Sequence, residues 1–161
     1  MPASTEDLRD GIFSAAELEL HNQRDEAVKL TDFRGRNLVV YFYPKDDTPG
    51  CTIEGREFAE LADQFDVLDT TVVGVSVDSV ESHRAFADKH SLPFNLIADP
   101  DGVLVRAFDA MGDGYADRAT FVLDREGQVR RAFRSVRPRG HAREVLNFVR
   151  AMLESYRMIG G

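Results

Sequence analysis

A chain of 161 residues, 43% hydrophobic and 30% charged, has the size and composition of one compact domain, not of a disordered segment or a disulfide-stapled miniprotein. Its formal charge of −8 and pI near 5.0 would repel a phosphate backbone, and no stripe of basic and aromatic residues reverses this locally, so nucleic acid is not an expected partner. No apolar run approaches the roughly 18 residues of a membrane helix, and Met1-Pro-Ala-Ser-Thr has no basic or apolar export region, so a soluble cytoplasmic protein is expected.

The chain reads as a single domain over 1–161, with about 1–14 and 157–161 peripheral or frayed. Leu18 and Leu20, then Ala27 to Leu30 beyond a polar stretch, predict an N-terminal hairpin. Leu38 to Tyr43 is a continuous β-branched and aromatic run, the pattern of a central strand covered on both faces, and it ends at Pro44. A helix from about Thr52 to Phe65 places Ile53, Phe58, Leu61 and Phe65 on one face, and Val72 to Val77 is a second buried strand. A helix over Ser79–His90, a strand at Phe94–Ile97, the turn Asp99–Gly102 and a short helix through Leu104 and Phe108 follow. After a glycine-rich loop from Met111 to Asp117, Thr120–Leu123 and Gln128–Phe133 form a hairpin around Asp124–Gly127. A last helix from about His141 to Tyr156 carries Val145, Phe148, Val149, Met152 and Tyr156 on one stripe. Alternating strands and helices, closed by a hairpin and a helix, predict an α/β fold of thioredoxin-like arrangement: a central mixed sheet with helices on both faces.

Cys51 is the only cysteine, which excludes an internal disulfide and a thiolate-rich zinc site and fits a reducing compartment. A lone cysteine is commonly a small inert hydrophobe. Cys51, however, lies between Gly50 and Thr52 where a buried strand gives way to a helix, the sheet edge at which α/β proteins bind ligands. In the first turn of that helix, free backbone N–H groups and the positive end of the dipole favour an anion, here a thiolate. The same groups can steady negative charge that develops on an atom reacting with the sulfur. His83 and His90, seven residues apart with no cysteine pair nearby, are expected to be solvated, and no metal is expected.

Pro44, Thr48 and Cys51 at their spacing resemble the Pro-x-x-x-Thr-x-x-Cys signature of peroxiredoxins. The fuller Tyr41-Phe-Tyr-Pro-Lys-Asp-Asp-Thr-Pro-Gly-Cys-Thr52 resembles the bacterioferritin-comigratory, or Q-type, branch. Leu30–Gly35, Val73–Asp78, Ile97–Gly102 and Arg118–Asp124 extend the likeness over roughly residues 17 to 155. The resemblance implies that Cys51 is the peroxidatic nucleophile, that the Thr48 hydroxyl orients the peroxide, that Arg118 keeps the sulfur ionised, and that Pro44 shields the site from water. It implies a peroxide substrate and an external thiol reductant, whether thioredoxin, glutaredoxin or a low-molecular-weight thiol, with no cofactor, in a monomer or weak homodimer. Glu54 is expected to cap the helix start. Many members of the branch carry a resolving cysteine five residues after the first; here that place holds Arg56, so a Cys51 sulfenic acid must be reduced by an outside thiol, by a second subunit's Cys51 or by a thioredoxin-type protein directly, the outside thiol being the favoured reading. A redox sensor without turnover and an inactive scaffold are the rival readings.

Overall fold

In a computed structural model the described residues are 11–160, of which 159 and 160 are described through their backbone alone. Seven strands form one mixed sheet: β1 (Leu20–Asn22), β2 (Ala27–Val28), β3 (Asn37–Phe42), β4 (Thr70–Ser76), β5 (Asn95–Ala98), β6 (Ala119–Leu123) and β7 (Val129–Phe133), in the order β2-β1-β5-β4-β3-β6-β7. Strands β3, β4 and β5 run parallel, and both flanks close antiparallel. The predicted N-terminal hairpin is β1 with β2, in register Leu20 to Val28.

Every residue of β3 is buried, and the two-residue period of a strand divides them between two cores. Val39 and Tyr41, with Tyr43 just beyond the strand, face a core built with Phe58, Phe65, Phe86, Val145 and Val149. These come from α1 (Pro49–Glu60), α2 (Ala62–Val67), α3 (Val80–His90) and α5 (His141–Gly160). Leu38, Val40 and Phe42 face the other core, with Leu104 and Val105 of α4 (Val103–Ala107) and Phe108. Helices therefore cover both faces, as the alternation predicts.

Three local readings change. The helix expected from Thr52 to Phe65 is two helices broken at Leu61, whose φ of −99° and ψ of 2° leave the helical region, and Ile53 stays outside the core. Tyr156 leaves the buried stripe of α5 and lies under the Arg130 guanidinium at 5.4 Å, while Leu146 takes a buried place. Of the peripheral segments, residues 1–10 and Gly161 lie outside the described residues, but residues 11–15 are helical with Ile12 buried in the second core, and α5 continues to Gly160.

Candidate active site

The site begins where β3 runs out. The Tyr43 amide still reaches the Val75 carbonyl at 3.2 Å, and Pro44, half-buried, has no N–H to extend the ladder. Thr48 is extended, at φ −100° and ψ 155°, as a residue before proline prefers, and Pro49 occupies the first helical position, where its missing N–H costs nothing. Cys51 is therefore the third residue of α1. The first amide to join the helical ladder is that of Thr52, bonded to the Thr48 carbonyl at 2.9 Å, so the amides of Gly50 and Cys51 belong to the free set at the helix start.

The Cys51 side chain is almost fully buried, and its surroundings are not only hydrocarbon. Arg118, immediately before β6, spans two partners: Nη2 lies 3.4 Å from the Cys51 Sγ, and Nη1 lies 2.8 Å from Glu54 Oε1. The sheet makes this possible, because β6 pairs with β3 in register Ala119 to Phe42, which sets Arg118 beside the exit of β3. Gly50 leaves room for the approach: a side chain there would begin 3.0 Å from Arg118 Nη2 and 3.2 Å from Pro138 Cγ, so both would have to shift by a few tenths of an ångström.

The sequence-selected residues thus converge at the exit of β3, with two refinements. The Thr48 hydroxyl does not cap α1; it donates to the Lys45 carbonyl at 2.7 Å, which leaves its lone pairs available to accept a hydrogen bond. Glu54 does not cap the helix either. It is three positions beyond Cys51, on the same helical face, fully buried and paired with Arg118. Burial pushes its carboxyl up to about 7, against the pull of the Arg118 guanidinium. Its Oε2 is buried with no hydrogen-bond partner, as is the Tyr41 hydroxyl nearby. Arg56 is exposed, consistent with a position that turns away from the sulfur.

The expectation of solvated histidines fails. His83 is fully buried: Nδ1 lies 2.7 Å from Asp46 Oδ2 and Nε2 lies 3.0 Å from the Ile97 carbonyl. Both ring nitrogens therefore have an oxygen partner within the interior. Asp46 also accepts from the Tyr43 hydroxyl at 2.6 Å and the Ser82 hydroxyl at 2.8 Å, and its own amide donates to Asp78 at 2.9 Å. His90 is half-buried, edge-on to Phe86, with Nε2 3.4 Å from Asp47. Lys89 reaches the same carboxylate at 2.9 Å, so two adjacent aspartates tie the loop before Thr48 to α3. Donor atoms of Asp46, Asp78 and His83 lie within 4.8 Å of one another, but each is engaged in this network. The signal for His83 was present: it precedes buried Phe86 by three residues, so the two share the helical face turned to the core.

A thioredoxin-like sheet with a buried sulfur at a helix N-terminus, touched by a guanidinium, defines a thiol-based redox protein. Residues 14–132 match the AhpC/TSA family. Over 148 residues the chain is 41% identical to peroxiredoxin Bcp of Bacillus subtilis, covering 87% of this chain and 94% of the relative. Over 125 residues it is 45% identical to peroxiredoxin Bcp of Xanthomonas campestris, covering 73% and 78%. The solved structure of the Xanthomonas campestris bacterioferritin comigratory protein, studied for its alkyl peroxide reduction activity, superposes with a TM-score of 0.84 at 40% identity, covering 87% of this chain and 94% of that one. The chain belongs to the AhpC/TSA family, and as a peroxiredoxin of the Bcp and PrxQ kind it is a thiol-dependent peroxidase.

Proposed function

We propose that Cys51 is the peroxidatic nucleophile of this enzyme and that it reduces hydrogen peroxide and small organic hydroperoxides. The thiolate attacks one peroxide oxygen, the S–O bond forms as the O–O bond breaks, and the leaving oxygen departs as water or alcohol after taking a proton. Cys51 is left as a sulfenic acid, which an external thiol returns to the thiolate. The observation that carries this reading is the 3.4 Å contact between Arg118 and the Cys51 sulfur at the third position of α1, where cation and helix dipole favour the same anion.

Arg118 and the free amides stabilise charge on the departing oxygen, the Thr48 hydroxyl accepts a hydrogen bond from the peroxide O–H and so orients it, and half-buried Pro44 keeps bulk water from the sulfur. The chain acts as one cytoplasmic domain, a monomer or weak homodimer, with no second cysteine to close an internal disulfide.

A steady-state peroxide assay with glutathione, glutaredoxin and thioredoxin as reductants, run beside Cys51→Ser, tests the reading. Turnover is expected with at least one reductant and is expected to fall by at least about 10³-fold in the variant. Oxidation for a single turnover with every reductant failing would instead assign a peroxide-sensing switch, and a sulfur that resists peroxide would assign an inactive scaffold.

A further inference from the structure

The negative charge of the chain is spread unevenly. Between β7 and α5 the chain folds into a loop that rests on the start of α1. The Val136 amide reaches the Arg118 carbonyl at 3.4 Å, the Gly140 amide donates to Glu57 of α1 at 2.8 Å, and Pro138 Cγ stands where a side chain on Gly50 would go. This loop and the end of β7 enclose a cleft of about 490 Å³, a volume that suits a small organic ligand.

Four arginines line the cleft: Arg131, Arg134, Arg137 and Arg139. Two are committed to the protein. Arg134 donates to the carbonyls of Phe108 and Asp109, and Arg131 lies over the ring of Phe133 at 4.6 Å. Arg137 and Arg139 are exposed and, among the described residues, pair with no carboxylate. The acid on the lining, Glu144, stands 3.3 Å from His141, and nearby Glu57 is occupied by the Gly140 amide.

We infer that this cleft holds the carboxylates of a low-molecular-weight thiol and presents its sulfur to oxidised Cys51. The inference rests on the peroxidase reading and names its reductant class. A chain with one cysteine needs a thiol from outside, and a surface of charge −8 repels an anionic one except where cations gather. Pro138, between Arg137 and Arg139 in the chain, sets its Cγ 3.2 Å from where a Gly50 side chain would begin, so a ligand gripped by those arginines is one residue of the loop away from the helix start that carries Cys51. The thiolate of the ligand attacks the Cys51 sulfur, an S–S bond forms, and the S–O bond breaks. Hydroxide leaves as water after taking a proton. A second thiolate then attacks the ligand sulfur of the mixed disulfide and frees the Cys51 thiolate, the two thiols leaving as their disulfide.

The test oxidises the full chain with one equivalent of hydrogen peroxide and follows Cys51 by intact mass. Oxygen gained is then lost by reaction with glutathione, which carries two carboxylates, or with its diethyl ester, which carries none. Mixed-disulfide formation is expected to be about fivefold to tenfold faster with glutathione, and the preference is expected to shrink at high salt and to vanish in Arg137→Gln/Arg139→Gln. Equal rates for the two thiols, an unchanged preference in the double variant, or recycling by a thioredoxin alone would overturn the cleft while leaving the peroxidase intact. A Cys51 that gains no oxygen would overturn both.

Discussion

Two buried polar networks flank the loop from Pro44 to Gly50, and they are completed to different degrees. Around Asp46 both carboxylate oxygens, both nitrogens of His83, the Tyr43 hydroxyl and the Asp78 carboxylate all find partners between 2.6 and 3.0 Å. Around Arg118 the geometry is as close, but Glu54 Oε2 and the Tyr41 hydroxyl are buried without partners. A satisfied network rigidifies, because each group would lose its full partner energy on leaving, whereas an incomplete one stores an unfavourable term that a change of charge can relieve. The first network fixes the loop that carries Pro44 and Thr48. The second stands where charge must shift from sulfur to oxygen. Shape is secured a few residues from where chemistry needs slack.

The contrast predicts that the two networks fail in different ways. Asp46→Ala strands His83 and Tyr43 in the interior and is expected to lower stability by about 3–5 kcal/mol, as breaking a buried pair does. For a chain of this size the melting temperature should fall on the order of 10 °C, read by thermal unfolding monitored by circular dichroism. An unchanged midpoint would mean that the network is not what holds the loop.

Arg118→Gln should do the reverse. The Glu54 carboxyl left behind can take up a proton, so stability should change less than in Asp46→Ala. The rate of Cys51 oxidation should drop about 10²–10³-fold, the range for losing one preorganised charge-stabilising donor. Competition against a peroxidase of known rate measures it. A large stability loss with oxidation intact would erase the distinction between the networks.

A pH titration sharpens the comparison from the Glu54 side. Its carboxyl is raised by burial from about 4.5 to about 7, so between those values the folded state binds more protons than the unfolded one. Stability should therefore fall as pH rises from about 4.5 to about 7 and then level off. The drop attributable to this group is roughly 3 kcal/mol if the unfolded carboxyl is ordinary. In Glu54→Gln the slope over that window should flatten, and any inflection near pH 7 in the rate of Cys51 oxidation should go with it. Denaturant melts at several pH values give the slope, and one that survives the substitution would assign it to another group.

The fold was legible because its signals are local and redundant. The run Leu38–Tyr43 is apolar on every residue, as a strand between two cores must be, and Asp124–Gly127 has the turn chemistry that joins β6 to β7. Pro49 and Gly50 likewise mark the helix start that sets Cys51 in the first turn. Partners brought together across the sheet were harder to read. Glu54 and Arg118 are 64 residues apart in sequence, and only the register of β6 on β3 shows that one guanidinium serves both the carboxylate and the sulfur. Asp46 and His83 are 37 apart, and a histidine flanked by Ser82 and Arg84 reads as solvated until Phe86 is seen to fix the inward face. A charge count over the whole chain likewise hides four arginines around one cleft.

The smallest expected effect isolates one orphaned atom. The Tyr41 ring stacks on Phe58 at 4.6 Å and on Tyr43 at 5.5 Å, contacts that phenylalanine would keep. Its hydroxyl is buried without a partner, and burial with the Glu54 charge nearby holds its proton firmly, so it contributes no charge at working pH. Removing an unsatisfied buried hydroxyl while keeping the ring removes a desolvation cost, so Tyr41→Phe should be neutral or stabilising by up to about 1 kcal/mol in denaturant melts. The same deletion at Tyr43, whose hydroxyl bonds Asp46 at 2.6 Å, should destabilise by about 1–3 kcal/mol. Two tyrosines two residues apart, one on β3 and one just beyond its end, facing the same core, would then respond to the same atom's loss with opposite signs. Equal responses would mean that both networks are equally complete, and the incompleteness around Arg118 would lose its claim to be functional.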